Sequence, residues 1–194
     1  MKKLIKIMTA LLLLAGLFTT AIPAVDAASS KKMASGTVMK KIKKSGKLVV
    51  GMSADYPPLE FTKNVNGRNK YVGVDVELAK QIAKDLGVKL EIKNMDFDSL
   101  LVALETGKID VIISGMTPTA ERKKSIDFSK IYYAEKSDYF VISKTNKAKY
   151  TSTASFKGKT VGAQTGSLQY TSLKKNAAKS GIKVKGLAKI SNLL

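Results

Sequence analysis

Asp75-Val-Glu-Leu-Ala-Lys-Gln-Ile-Ala-Lys-Asp-Leu86, then Gly87, then Val88-Lys-Leu-Glu-Ile92, is the stretch that decides the architecture. Val76, Leu78, Ala79, Ile82, Ala83 and Leu86 fall on one face at helical spacing, Gly87 stops the helix, and residues 88–92 alternate as a strand. The pattern then repeats. A second helix is expected from about Asp98 to Thr106, burying Leu100, Leu101 and Leu104 and ending at Gly107. Asp110-Val-Ile-Ile113 follows as a continuous apolar strand of the kind covered on both faces. Strand and helix in alternation predict an open α/β lobe with helices on both faces of a mixed or parallel sheet.

Upstream, Lys47-Leu-Val-Val-Gly-Met52 reads as another short strand, and Pro57-Pro58 forbids a helix directly after it. Asn66-Gly67, between Phe61 and Tyr71, signals a hairpin. Downstream, Ile131-Tyr-Tyr133 and Tyr139-Phe-Val-Ile142 read as extended segments leaving the first lobe. A second unit begins with a strand at residues 157–163, a turn at Gln164-Thr-Gly-Ser167, a helix from about Leu168 to Lys179 and a strand at residues 182–187. The expected boundaries are residues 46–137 for lobe one and 138–194 for an incomplete lobe two.

The chain has 194 residues, a formal charge of +19, and no Cys or His. That excludes disulfides, thiolate nucleophiles, Cys–His or Ser–His catalytic pairs and the usual zinc ligands, and no cofactor or metal is expected. Residues 1–27 carry Lys2, Lys3 and Lys6, an apolar run from Ala10 to Phe18 and small residues at Val25-Asp26-Ala27, the pattern of a secretory signal peptide. The run is shorter than the ~20 residues that span a bilayer, and no Cys stands at the cleavage site to carry a lipid anchor. Residues 28–45, rich in Ser, Ala, Gly and Lys, read as a mobile basic arm. Residues 55–138 are nearly neutral, whereas residues 139–194 hold 11 Lys and no acid.

In an open α/β sheet, ligands bind beyond the carboxyl ends of the strands, which directs attention to residues 53–61, 96–98 and 114–122. Ser114-Gly-Met-Thr-Pro-Thr-Ala-Glu-Arg122 is the sharpest of these. Thr117 and Pro118 read as N-cap and first residue of a helix, with Arg122 about one turn on, so an anion such as a carboxylate could be held there. The Gly115 carbonyl and Ser114 hydroxyl could accept from an ammonium. The alternative is a capped helix whose Arg122 pairs with Glu121 or Asp127. Tyr56 and Phe97 could sandwich a small ligand's side chain. Gln164–Ser167 lacks the Gly-Lys-[Ser/Thr] ending of a phosphate loop, so nucleotide binding is not expected.

Residues 54–61, 73–79, 97–110 and 114–124, with Asp127-Phe128-Ser129, Tyr132-Tyr133 and Gly162-Ala-Gln-Thr-Gly166, resemble the family 3 extracellular solute-binding proteins, the polar amino-acid receptors of ABC importers. The resemblance covers about residues 47–187. It implies a two-lobed periplasmic-binding-protein type II fold, lobe one largely present and lobe two incomplete, closing on a free amino acid. Arg122 would grip the α-carboxylate, Thr117 and Gly115 the backbone groups, and Tyr56 and Phe97 the side chain, while Gln164, Leu168 and Gln169 approach from lobe two. A monomer delivering its ligand to an ABC-transporter permease is implied, with no enzymatic activity.

Two departures stand out. Relatives that take Lys, Arg or His commonly carry an acid where this chain has Ser53, which disfavours a cationic ligand unless Asp55 substitutes. The family also clamps the ligand ammonium with an Asp from a later strand of lobe two and then returns to lobe one, so the chain reads as C-terminally truncated, with weak or no binding expected. A second function class is adhesion of a basic surface protein to anionic cell-envelope polymers through counterion release. A secretory signal argues against nucleic acid. A third is an enzyme such as a dehydratase, for which Glu60 or Asp55 would have to serve as general acid.

Overall fold

The computed structural model describes residues 35–135 and 137–193. The expected signal peptide and residues 28–34 of the expected arm lie outside them. Helix α1 (Ser35–Ser45) leads into β1 (Lys47–Met52), followed by β2 (Asp55–Tyr56), β3 (Glu60–Val65), β4 (Arg68–Val72), α2 (Val74–Asp85), β5 (Lys89–Asn94), α3 (Leu100–Glu105) and β6 (Val111–Ile112). After a long segment without strands come β7 (Thr160–Gln164), α4 (Leu168–Ser180) and β8 (Lys183–Leu187).

Strand β1 is the middle of a three-stranded parallel sheet in the order β5-β1-β6, with Lys47 opposite Lys89, Met52 opposite Asn94 and Gly51 opposite Ile112. Its side chains alternate between two cores. Leu48, Val50 and Met52 pack with Ile42 of α1 and with Val76, Ala79 and Ala83 of α2, whereas Val49 faces Leu100, Ala103 and Ile109 around α3. A Cβ on Gly51 would lie 2.4 Å from Ile109 Cδ1 and 3.0 Å from Leu100 Cδ2, so a bare backbone is what brings α3 close to the sheet. Helices therefore cover both faces, as the alternation of apolar runs predicts.

The hairpin is as expected: β3 and β4 pair antiparallel from Phe61–Val72 to Val65–Arg68, and Asn66 and Gly67 at the tip have φ of 53° and 77°. Two consecutive positive φ values are what a tight type I′ turn requires and what Asn-Gly supplies. The expected second strand–helix–strand unit forms too. β7 and β8 pair in parallel around α4, with Ser167 Oγ accepting from Tyr170 N at 3.0 Å and capping that helix.

Two expectations need correction. Residues 35–45 are not a mobile arm but α1, because Val38 and Ile42, four apart, make one narrow apolar face and Ile42 is buried in the core. Lys41 fixes it further, donating to Asp110 Oδ1 at 2.9 Å and to the Gly107 carbonyl at 3.0 Å. Residues 131–133 and 139–142, expected as extended segments, lie outside every described helix and strand, and all but the half-buried Ile142 are exposed. Finally, no α-helix follows Pro118: Arg122–Lys124 form a single 3-10 turn. Between Ala120 and Lys124 no apolar side chain is buried, so a longer helix would have no face to cover.

Leu100 is completely buried and Val102, one turn position away, is 58% exposed. Leu100→Ala should lower unfolding free energy by about 2–5 kcal/mol, whereas Val102→Ala should change it by less than about 0.5 kcal/mol, both read from denaturant titration.

Candidate functional site

All three strands of the β5-β1-β6 sheet run the same way, so the chain leaves each at one edge. Residues 53–56, 95–98 and 114–122 gather there, and the turn after β7 is brought against them. At their centre is Arg122, buried to 8% relative exposure. Its Nη1 donates to the Thr117 carbonyl at 2.8 Å and its Nη2 to the Gly166 carbonyl at 2.9 Å, while the guanidinium carbon lies 5.6 Å from the Phe97 ring centroid. One side chain thus joins the loop after β6, the aromatic after β5 and the turn after β7. Glu121, a suggested partner, pairs instead with Lys124 at 2.6 Å, and among the described residues no carboxylate forms an ion pair with Arg122. Burial lowers the guanidinium pKa from its usual value, yet Arg stays charged in proteins. Among the described residues its two hydrogen bonds go to neutral carbonyls, two of the five N–H donors that a guanidinium carries.

The same turn comes close to the residues after β5. Gly166 has φ of 77°, and a Cβ on it would fall 2.8 Å from Asp98 Cβ and 2.9 Å from Asp98 Cα. Gln164, buried, donates through Nε2 to Ser53 Oγ at 3.2 Å and to the Ala188 carbonyl at 3.2 Å, and lies 3.5 Å from Asp55 Oδ1. Asp55 also accepts from Ser53 Oγ at 3.0 Å and from the Ile190 backbone N–H at 2.6 Å. Lys189 reaches Asp96 at 3.3 Å. Polar bonds, not apolar packing, therefore join the sheet edge to residues 160–190.

Tyr56 lies beside Gly115, whose Cβ position would be 3.6 Å from the Tyr56 ring, and its hydroxyl donates to Glu135 Oε1 at 2.8 Å. Burial first, and then Glu135, push that hydroxyl pKa up. Ser114 departs from its expected role. Its Oγ accepts from Ser53 N at 2.9 Å and donates to Glu60 Oε1 at 2.6 Å, so the hydroxyl expected to meet a ligand ammonium is turned inward. The Gly115 N–H is taken by Asp75 Oδ2 at 2.8 Å, which leaves its carbonyl as the group to offer a ligand. Thr117 contributes its carbonyl to Arg122, not a helix cap. Of the lobe-two residues, Gln164 reaches the sheet edge, Leu168 is exposed at the start of α4, and Gln169 bonds outward to Asp138 at 2.8 Å. Glu60, the acid an enzymatic reading would need, is 1% exposed behind Ser114.

Sequence reasoning missed the Gly166 carbonyl as an Arg122 partner, although the Gln164-Thr-Gly-Ser167 turn was legible. It also missed Asp75, which on sequence is merely an acid in the first turn of a helix.

A model of the bacterial extracellular solute-binding proteins, family 3, matches residues 48–190. The chain belongs to this family. It is 43% identical over 148 residues to the arginine-binding extracellular protein ArtP of Bacillus subtilis, covering 76% of this chain and 55% of that one. It is 35% identical over 146 residues to the L-cystine-binding protein TcyJ of Escherichia coli, covering 75% and 53%. An amino acid ABC transporter substrate-binding protein of Streptococcus pneumoniae, solved bound to L-arginine, superimposes with a TM-score of 0.74 at 39% identity, covering 80% of this chain and 63% of that chain. The fold is thus the α/β periplasmic-binding-protein type II fold, and the chain spans about half the length of the curated relatives it matches.

Because Gly166 sits against the Asp98 backbone at positive φ, Gly166→Ala should separate the β7 turn from residues 97–98 and break the Arg122–Gly166 bond. Hydrogen exchange should quicken at residues 97–99 and 164–167 and stay unchanged in β1, measured by mass spectrometry.

Proposed function

We propose that the chain is an extracytoplasmic amino-acid receptor serving an ABC importer, without catalytic activity, and that its ligand is a free amino acid with a cationic side chain, L-arginine first. The observation that carries this is Arg122: a buried guanidinium at the carboxyl edge of a parallel sheet, held in place by two carbonyls and one aromatic face, with donors to spare and no carboxylate partner among the described residues. Such a group suits a ligand α-carboxylate, for which the planar fork gives paired, charge-assisted bonds. The Gly115 and Thr117 backbone would take the remaining polar groups of the amino acid, with Tyr56 and Phe97 against its side chain and Gln164, Leu168 and Gln169 contributing from the second lobe.

Ser53, where receptors for basic amino acids carry an acid, argues against a cationic side chain. Asp55 supplies the missing charge two residues on, hydrogen-bonded to the Ser53 hydroxyl at 3.0 Å. The arginine named for the Bacillus subtilis and Streptococcus pneumoniae relatives supports the same choice. Residues 1–27 would direct the chain across the cytoplasmic membrane, as befits a family described as extracellular.

Titration calorimetry with the twenty amino acids should give the largest affinity for L-arginine, and tighter binding of glutamate or leucine would overturn the cationic assignment. Charge-assisted hydrogen bonds contribute about 1.5–3 kcal/mol, so Arg122→Ala should weaken binding roughly 10- to 150-fold. Arg122→Lys should recover only part of that, because an ammonium keeps the charge and loses the fork.

A further inference from the structure

Beneath the ligand-facing loop lies a cluster that neither the α-carboxylate nor the side-chain reading uses. Glu60 opens β3 and Asp75 stands in the first turn of α2; they are 1% and 0% exposed. Each has one oxygen fully engaged. Glu60 Oε1 accepts from Ser114 Oγ at 2.6 Å, and Ser114 Oγ in turn accepts from Ser53 N at 2.9 Å. Asp75 Oδ2 accepts from Gly115 N at 2.8 Å and from the Tyr132 hydroxyl at 3.0 Å. The other two oxygens, Glu60 Oε2 and Asp75 Oδ1, are buried without any partner. Yet the two side chains hold adjacent residues, Glu60 bonding Ser114 and Asp75 bonding Gly115, which brings the two carboxyls side by side.

Two buried carboxylates in contact cannot both be ionised at moderate cost, and each bare oxygen is expensive to desolvate. One proton between them removes both difficulties. We propose that Glu60 and Asp75 share a single proton between Glu60 Oε2 and Asp75 Oδ1, and that the joined pair acts as a positioning unit that fixes Ser114 and Gly115 at the ligand-binding edge. Glu60 holds residue 114 and Asp75 holds residue 115, so their mutual bond sets the orientation of the peptide between them. The proton resides on Glu60, whose pKa burial, followed by the nearby Asp75 charge, raises to about 9 against the pull of the Ser114 bond. Asp55 adds to the same field from β2, and the Tyr132 hydroxyl meets Asp75 from the segment after β6. This reading deepens the proposed receptor function, but its test needs no ligand.

The sign follows from linkage. Unfolded Glu60 loses its proton above its ordinary value near 4.5, whereas folded Glu60 keeps it up to about 9. Folding therefore takes up one proton in that window, and the folding constant falls up to about tenfold per pH unit on this account. Glu60→Gln keeps an N–H for Asp75 and a carbonyl for Ser114 but cannot titrate. The ratio of its folding constant to that of the unaltered chain, from denaturant titrations between pH 5 and 9, should rise with pH. A ratio independent of pH overturns the shared proton. For the positioning role, the Gly115 amide signal in a 1H–15N NMR spectrum should shift in Glu60→Leu, although Glu60 does not touch Gly115, and return close to its original place in Glu60→Gln. If Leu and Gln leave Gly115 in the same position, the pair does not act as a unit. If Glu60→Leu does not fold, the pH series on Glu60→Gln still decides. Should the chain bind no amino acid at all, the receptor reading fails while both of these outcomes remain readable.

Discussion

A guanidinium taken out of water with no carboxylate partner among the described residues is the constraint around which the site is arranged. Such a group is costly to bury, and here it is kept by two carbonyls, one from each side of the cleft, and by the face of Phe97. Each of those partners exists because of a different strand end. Thr117 follows β6, Phe97 follows β5 and Gly166 follows β7, so Arg122 can be satisfied only when all three ends are assembled. A cation with spare donors in such a place makes the edge electropositive at one point within a lobe that is otherwise close to neutral.

The sheet supplies the rigidity that this arrangement needs. β1, apolar on both faces and paired in parallel on both edges, anchors α1 and α2 on one side and α3 on the other. Parallel pairing sends every outgoing loop to the same edge. The acids then divide by depth: Asp55 stands at the edge among polar hydrogen bonds, while Glu60 and Asp75 lie beneath the Ser114–Gly115 loop and brace it. Lys189 pairs with Asp96 at this edge, whereas the buried acids Glu60 and Asp75 are met by hydroxyls and a backbone N–H.

Much of this was legible because the signals are local. The period of residues 76–86, the Asn66-Gly67 turn and the strand–helix–strand run expected over residues 157–187 each depend on neighbours within a few residues, and each formed, the first strand of that run starting three residues later than expected. Arg122, Tyr56, Phe97 and Gln164 could be singled out because they follow predicted strand ends. Two misreadings share a cause. Residues 35–45 read as an arm because the apolar face of α1 is only Val38 and Ile42, and the Thr117-Pro118 cap implies a helix that has nothing to bury. In each, local propensity was judged without knowing what surface waits to be covered.

The sequence by itself determined the elements, the common edge at which their loops meet, and the chemical types available there: one Arg, two aromatics, amides and a few acids. Only the tertiary structure decided what each polar group faces. Ser114 turns inward to Glu60, Asp75 takes the Gly115 N–H, and Gly166 closes on Asp98 to reach Arg122. These are contacts between residues 40 to 68 positions apart, and a hydrogen bond depends on direction and distance to within a few tenths of an ångström. Periodicity fixes which side of an element a residue occupies, but the partner across the gap is set by how separate elements pack.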